Sequence, residues 1–257
     1  MKVVIADTYK SHEKELRRII ATYKETGELI YDGSRNSLKK FRVNETKIVV
    51  KAFKSPNIVN KIVYRFFRKS KAERSFLYAK KLESLGIGTP KAVAYFENRS
   101  FLIFKDSYYI SEFLDSDLTY RELITYPDYP DREEILKQFT AFTKQLHDNG
   151  VLFKDHSPGN TLINKTDEGS YTFYLVDLNR MEFKELSFKE RIANFARLTP
   201  EKEMVRSMAY AYADLIDEER EEVFRLMWKE TMRFRNKFDR KRRIKRRVFF
   251  WKERYRE

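Results

Sequence analysis

The hydrophobic pattern of this chain changes period once, and that change limits what it can fold into. Up to about residue 114 the apolar residues come in short runs rich in β-branched and aromatic types. Residues 47–53 (Lys-Ile-Val-Val-Lys-Ala-Phe) are the clearest strand. Residues 2–6, two runs around a turn within 27–36, and residues 92–97 and 101–114 read as further strands, with a turn expected near Lys105-Asp106-Ser107. Helices are expected at 12–24, with Ser11 as N-cap, and at 71–84, where Ala72, Phe76, Ala79 and Leu82 recur at helical spacing and Gly86 sits just past the end. Beyond Pro130 the period becomes helical. Residues 131–148 put Ile135, Phe139, Phe142 and Leu146 on one face, two short β segments follow around Leu162-Ile163 and 173–176, and the chain from about Ser187 is helical. The fold class is α+β in two lobes: a β-rich lobe over 1–113, a helical lobe over 114–231, and a basic amphipathic helix over 232–257.

Composition narrows the function. The 257 residues suffice for a sizeable core. With no cysteine, disulfides, thiolate metal sites and a Cys nucleophile are excluded. Three histidines, His12, His147 and His156, leave little for a His-rich metal site. The net charge of +14 is concentrated: the last 26 residues carry 13 Lys/Arg against 3 Asp/Glu, or +10. Such a tail suits a polyanion. The first residues form too short an apolar run for a secretory signal, and no stretch approaches the ~20 apolar residues of a spanning helix. A soluble or peripheral protein on the cytoplasmic side is expected.

The chemistry lies in one segment and its sequel. The helix ending at His147 meets a glycine turn at Gly150; Asp155 follows, Asn160 stands five residues later, and Asp177 ends a short apolar strand. Phosphoryl transfer needs this set: one carboxylate to reach an acceptor hydroxyl, and an amide and a second carboxylate as hard oxygen ligands for a metal on nucleotide phosphates. Asp, Asn, Pro and Gly also make ordinary turns.

On these residues the chain resembles the protein-kinase-like superfamily over roughly residues 27–200. Phe153-Lys154-Asp155 with Asn160 stands where that superfamily has H-R-D-x-x-x-x-N, and Asp177-Leu178-Asn179 where D-F-G belongs. Ile48-Val49-Val50-Lys51 matches V-A-I-K, and Glu73 matches the helix acid that pairs with that lysine. Within the superfamily, Asp177-Leu178-Asn179-Arg180 and the segment 191–198 are similar to the bacterial lipopolysaccharide core kinases, the Kdo/WaaP family. An A-P-E segment and a long activation loop are absent, which disfavours a regulated protein kinase.

The resemblance implies a bilobal kinase-like fold, ATP and Mg²⁺ as cofactors, and a sugar hydroxyl of the lipopolysaccharide inner core as acceptor. It implies Asp155 as the base, Lys51 paired with Glu73 on the phosphates, Asn160 and Asp177 as metal ligands, and Lys154 as a cation for the transferring group. The phosphate loop would be Gly33, Ser34, Arg35 and Asn36, although the G-x-G-x-x-G pattern is missing. Glu112 and Leu114 would flank the adenine. Lys54 competes with Lys51, His147 reads as structural, and His156 could touch substrate. The basic tail would pack on the helical lobe or lie on an anionic membrane surface; no RNA-binding signature points to nucleic acid. A kinase for another acceptor and a non-catalytic scaffold are the competing functions.

Overall fold

A computed structural model describes residues 1–54, 69–99 and 104–248. The chain divides into two compact units: residues 1–117 with 174–181, and residues 118–173 with 182–257.

The first unit is built on a six-stranded sheet. Its strands are β1 (Lys2–Ile5), β2 (Glu28–Asp32), β3 (Asn36–Val43), β4 (Thr46–Phe53), β5 (Ala92–Arg99) and β6 (Phe104–Glu112), in the order β1-β5-β6-β4-β3-β2. Every pairing described is antiparallel. Strand alternation in β4 buries Ile48, Val50 and Ala52 in the core with Phe96 and Ile110. Leu16, Ile19 and Ile20 of α1 (Glu13–Ala21) cover the same cluster. Helix α2 (Lys71–Ser84) buries the expected face, Ala72, Phe76, Ala79 and Leu82, and sets Phe76 against Tyr95 of β5 at 5.4 Å. Its N-cap is Ser70, whose hydroxyl accepts the Glu73 amide at 3.0 Å.

Two local expectations are corrected. Residues 7–12 form a 3-10 turn, so α1 starts at Glu13 and Ser11 does not cap it; the Ser11 hydroxyl meets His12 Nδ1 at 3.1 Å. The turn at 105–107 does not exist. Lys105, Asp106 and Ser107 lie within β6, where Ser107 pairs with Phe53 on one side and Glu97 on the other. Polar residues there serve the strand, since Asp106 accepts a bond from Asn98 at 2.5 Å. Residues 101–103, the start of the expected second strand, lie outside the described residues, as does the tail beyond Val248.

The second unit is mainly helical: α3 (Tyr120–Thr125), α4 (Arg132–Asp148), α5 (Phe188–Asn194), α6 (Lys202–Ile216) and α7 (Arg220–Val248). Helix α4 buries Ile135, Leu136, Phe139 and Leu146, and α6 buries Met204, Met208 and Tyr212. Short strands β7 (Leu118–Thr119), β9 (Thr161–Lys165) and β10 (Tyr171–Leu175) form one sheet in the order β10-β9-β7. Strands β8 (Val151–Phe153) and β11 (Met181–Phe183) pair as another. Helix α7 is continuous through residue 232, but its burial changes there. Met227 and Thr231 are buried, whereas 233–244 are exposed. No helix among the described residues is long and apolar enough to cross a membrane.

Candidate functional site

Each unit carries one acid from the sequence pattern on a local scaffold. In the first unit the acid is Asp177. The segment before it is clamped by two bonds. The Leu175 amide donates to Gly88 O at 2.9 Å, and the Thr89 hydroxyl donates to Leu175 O at 2.8 Å. The chain then turns through Asp177 at φ 58°, a left-handed conformation that Asp tolerates better than most side chains. The Asn179 amide bonds its Oδ1, and Lys51 Nζ reaches the same oxygen at 2.6 Å.

Lys51 arrives there because β4 alternates. Val50 and Ala52 point into the core, so Lys51 points away from it, with its side chain 11% exposed. Lys54 goes elsewhere: it bonds Asp32 at 3.0 Å and the Gly33 carbonyl at 2.7 Å, and its own amide donates to Arg35 O at 3.1 Å. These bonds, with the Gly33 amide donating to Asn36 O at 2.9 Å, fold 33–36 into the tight connection between β2 and β3. Ser34 and Arg35 are exposed on it, and Asn36 opens β3 opposite Phe53. Lys71, the first residue of α2, lies beside this group. Burial holds its ammonium below the usual lysine range; Asp177 opposes that shift, while Arg35, Lys51 and Arg74 add to it.

The expected Lys51–Glu73 pair is not the pair found. Glu73 accepts from Lys2 at 3.0 Å, because β1 on the edge of the sheet brings Lys2 to α2, and Lys51 is turned to Asp177. Glu112 ends β6, where its carboxylate accepts from the Tyr9 hydroxyl at 2.8 Å; burial and this neighbour push the tyrosine up to about 12. Leu114 is half-buried in the following connection.

In the second unit the acid is Asp155, in the loop after β8. Asn160 closes this loop by donating its side-chain N–H to Asp155 O at 2.8 Å, which leaves its amide oxygen as the acceptor atom. Arg197 grips the loop from outside: Nη1 donates to Asp155 Oδ1 at 2.8 Å and to Lys154 O at 2.9 Å. Behind the loop is a buried polar chain. The Asn194 amide donates to Phe153 O at 2.8 Å, its Oδ1 meets His147 Nε2 at 3.1 Å, and His147 Nδ1 meets the Tyr212 hydroxyl at 2.8 Å. Burial depresses His147 to about 4, so it is neutral and can bridge a donor and an acceptor. His156 is fully buried between Phe139 and Phe153 and is depressed to about 3. It is therefore a packed side chain facing away from solvent, not a substrate contact.

Lys154, expected to face the transferring group, instead pairs with Glu182. Arg197 and Asn194 were not identified from the sequence, although both lie in the 191–198 segment that carried the resemblance. Their spacing of three places both beneath β8 and its loop, which is the signal that was available.

Magnesium is the metal the pattern implies, and the donor chemistry fits it. Asp177 offers a carboxylate and Asn160 an oriented amide oxygen, both hard ligands. Among the described residues no group of three or more His, Cys, Asp or Glu could hold a metal by protein atoms alone. Each unit thus offers one hard oxygen donor, and an ion bound at either would be carried largely by phosphate oxygens and water.

A sequence profile of the lipopolysaccharide kinase (Kdo/WaaP) family matches residues 36–233. No curated protein matches the chain. Among solved structures, the chain is similar to WaaP in a complex with acyl carrier protein, at a TM-score of 0.62 and 15% identity, covering 93% of this chain and 99% of that one. At that identity the likeness concerns the fold: a β-sheet lobe and a helical lobe, as in a kinase.

Proposed function

The chain belongs to the lipopolysaccharide kinase (Kdo/WaaP) family, and on that premise we propose that it transfers the γ-phosphoryl group of ATP to a sugar hydroxyl of the lipopolysaccharide inner core, on Kdo or heptose. The observation that carries this reading is the state of Asp155. Its carboxylate is held at one oxygen by Arg197 while its own carbonyl is bound by Asn160, so the group is oriented rather than left to rotate. An oriented carboxylate accepts the proton of an incoming hydroxyl as that oxygen attacks phosphorus.

Lys51 exchanges its contact with Asp177 for the α- and β-phosphates. That would free the Asp177 carboxylate to hold Mg²⁺, for which Asn160 is the other proposed ligand. When bound, the ion neutralises charge that builds on the phosphate oxygens. Residues 33–36 cover the phosphates with backbone amides and the Ser34 and Arg35 side chains, and Glu112 and Leu114 flank the base. Neither Glu73 nor Lys154 is given a catalytic role.

The basic part of α7 supports a place at a membrane. Phe234, Phe238 and Ile244 are exposed on a helix crowded with Arg and Lys, and an anionic lipid surface on the cytoplasmic side would cover both. The test of function is mass spectrometry of lipopolysaccharide from cells with and without the gene. A core lacking one phosphate, restored by the wild-type chain and not by Asp155→Ala, is expected. An unchanged core rejects the acceptor.

A further inference from the structure

The cationic group around Asp177 holds more positive charge than one carboxylate can balance. Lys51 Nζ lies 5.5 Å and Lys71 Nζ 5.6 Å from the centroid of the same Phe53 ring. Lys51 has Asp177 as its partner at 2.6 Å. Lys71 has no hydrogen bond or ion pair to any described residue, and Arg35, Lys51 and Arg74 all act on it as like charges. Lys51, Lys71 and Arg74 are half-buried and repel one another because little water screens them, while Arg35 is exposed and adds a better-screened charge. Lys71 is also the first residue of α2, where the helix dipole disfavours a cation. Burial, the neighbouring cations and the helix dipole all oppose a charged lysine at 71, with Asp177 and the Phe53 ring as the favourable neighbours, so an anion of high charge would find a cation short of negative partners. The Phe53 ring is a neighbour common to both ammonium groups, which places them in one locality of the first unit.

We propose that Lys71, with Arg35, forms a second phosphate seat beside Lys51. Lys51 takes one phosphate of a bound polyanion and Lys71 takes the next. Arg35, on the β2–β3 connection, closes over the same group from the other element. The seat rests on the nucleotide-binding reading above and extends it. The phosphate it takes has two sources: the terminal phosphates of the nucleotide, or a phosphate already present on the glycolipid acceptor.

Titration calorimetry on the full chain with Mg²⁺ separates these sources. The probes are adenosine, ADP, a non-hydrolysable ATP analogue and a sugar phosphate, each added to wild type, Lys71→Met, Lys71→Arg and Arg35→Ala. For Lys71→Met we expect about tenfold weaker binding of the triphosphate analogue and about twofold or less for adenosine, as a lost charge-assisted contact predicts. Lys71→Arg should restore most of the loss. A loss confined to the sugar phosphate also supports the seat and assigns it to the acceptor. Equal affinity of wild type and Lys71→Met for every phosphate probe overturns the proposal. So does an equal loss for adenosine, which would mark a structural role. If wild type binds no nucleotide at all, the kinase reading falls and the seat falls with it. If wild type binds and Lys71→Met binds equally well, only the seat falls.

Discussion

Asp177 and Asp155 are both acids in short loops after strands, yet the two units hold them in opposite ways. Asp177 sits among cations that outnumber it, in contact with a lysine at 2.6 Å. Asp155 sits on a built scaffold: an arginine on its carboxylate, an asparagine on its carbonyl, and the chain Asn194–His147–Tyr212 behind β8. The first arrangement is provisional. An ion pair of one carboxylate with one of several cations exchanges readily when a polyanion arrives, since the cations gain a better partner. The second is fixed, because each buried donor or acceptor taken from that chain leaves another unsatisfied. Under the proposed function, Lys51 and Asp177 must change partners and Asp155, as the base, must not move, and the two arrangements suit those two tasks.

The largest expected effect tests the fixed side. Asp155→Ala should lower phosphoryl transfer by roughly 10³- to 10⁴-fold, the scale of a lost general base, measured with γ-labelled ATP and purified acceptor. Near-normal turnover would break the comparison at its centre. Next is the scaffold. Asn194→Ala removes the partner of Phe153 O and of His147, and should cost about 3 kcal/mol of stability, read from urea unfolding. A loss within ~0.5 kcal/mol, the range of surface substitutions, would show that the buried chain is not what holds the loop.

Protonation probes the same scaffold. His147 and His156 are depressed to about 4 and about 3, below the ordinary value of 6.5, so the unfolded chain binds protons first as pH falls. Their contribution is complete above about pH 6.5 and is lost as pH drops from there toward 4 and 3. Stability at pH 5 should be lower than at pH 7 by about 3 kcal/mol, and His156→Phe should reduce that difference. A flat profile between pH 7 and 5 would contradict the burial argument. The smallest effect expected is from Arg197→Lys. It keeps a charge near Asp155 but shifts the nitrogen, Nη1 in the wild type, that binds both Asp155 Oδ1 and Lys154 O, and should lower kcat several-fold with KM for ATP nearly unchanged. A change in KM alone would place Arg197 on the nucleotide side.

Much of this architecture is legible in the chain because it rests on period. Alternation in 47–53 sets Lys51 apart from the buried Val50 and Ala52, and the helical spacing of Ala72, Phe76, Ala79 and Leu82 gives the buried face of α2. The order Asp155, Asn160, Asp177 is visible as spacing, and a sequence profile of one family covers 36–233. What spacing does not contain is which charge meets which. Glu73 reaches Lys2 because β1 and β5 pair at the sheet edge, 71 residues away in sequence. Arg197 reaches Asp155 because a 3-10 turn at 195–197 extends α5 toward the loop after β8. Polar residues at 105–107 look like a turn, but strand pairing on both sides holds them extended. Each of these depends on tertiary neighbours that local composition does not specify.

The division of labour between the two acids is measured most directly by MgATP binding to Asp155→Ala and Asp177→Ala side by side, by calorimetry with and without Mg²⁺. The account predicts that Asp155→Ala binds MgATP within about twofold of wild type while Asp177→Ala loses the Mg²⁺-dependent part of its affinity. The reverse pattern, with Asp177→Ala binding normally and Asp155→Ala losing nucleotide, would contradict it.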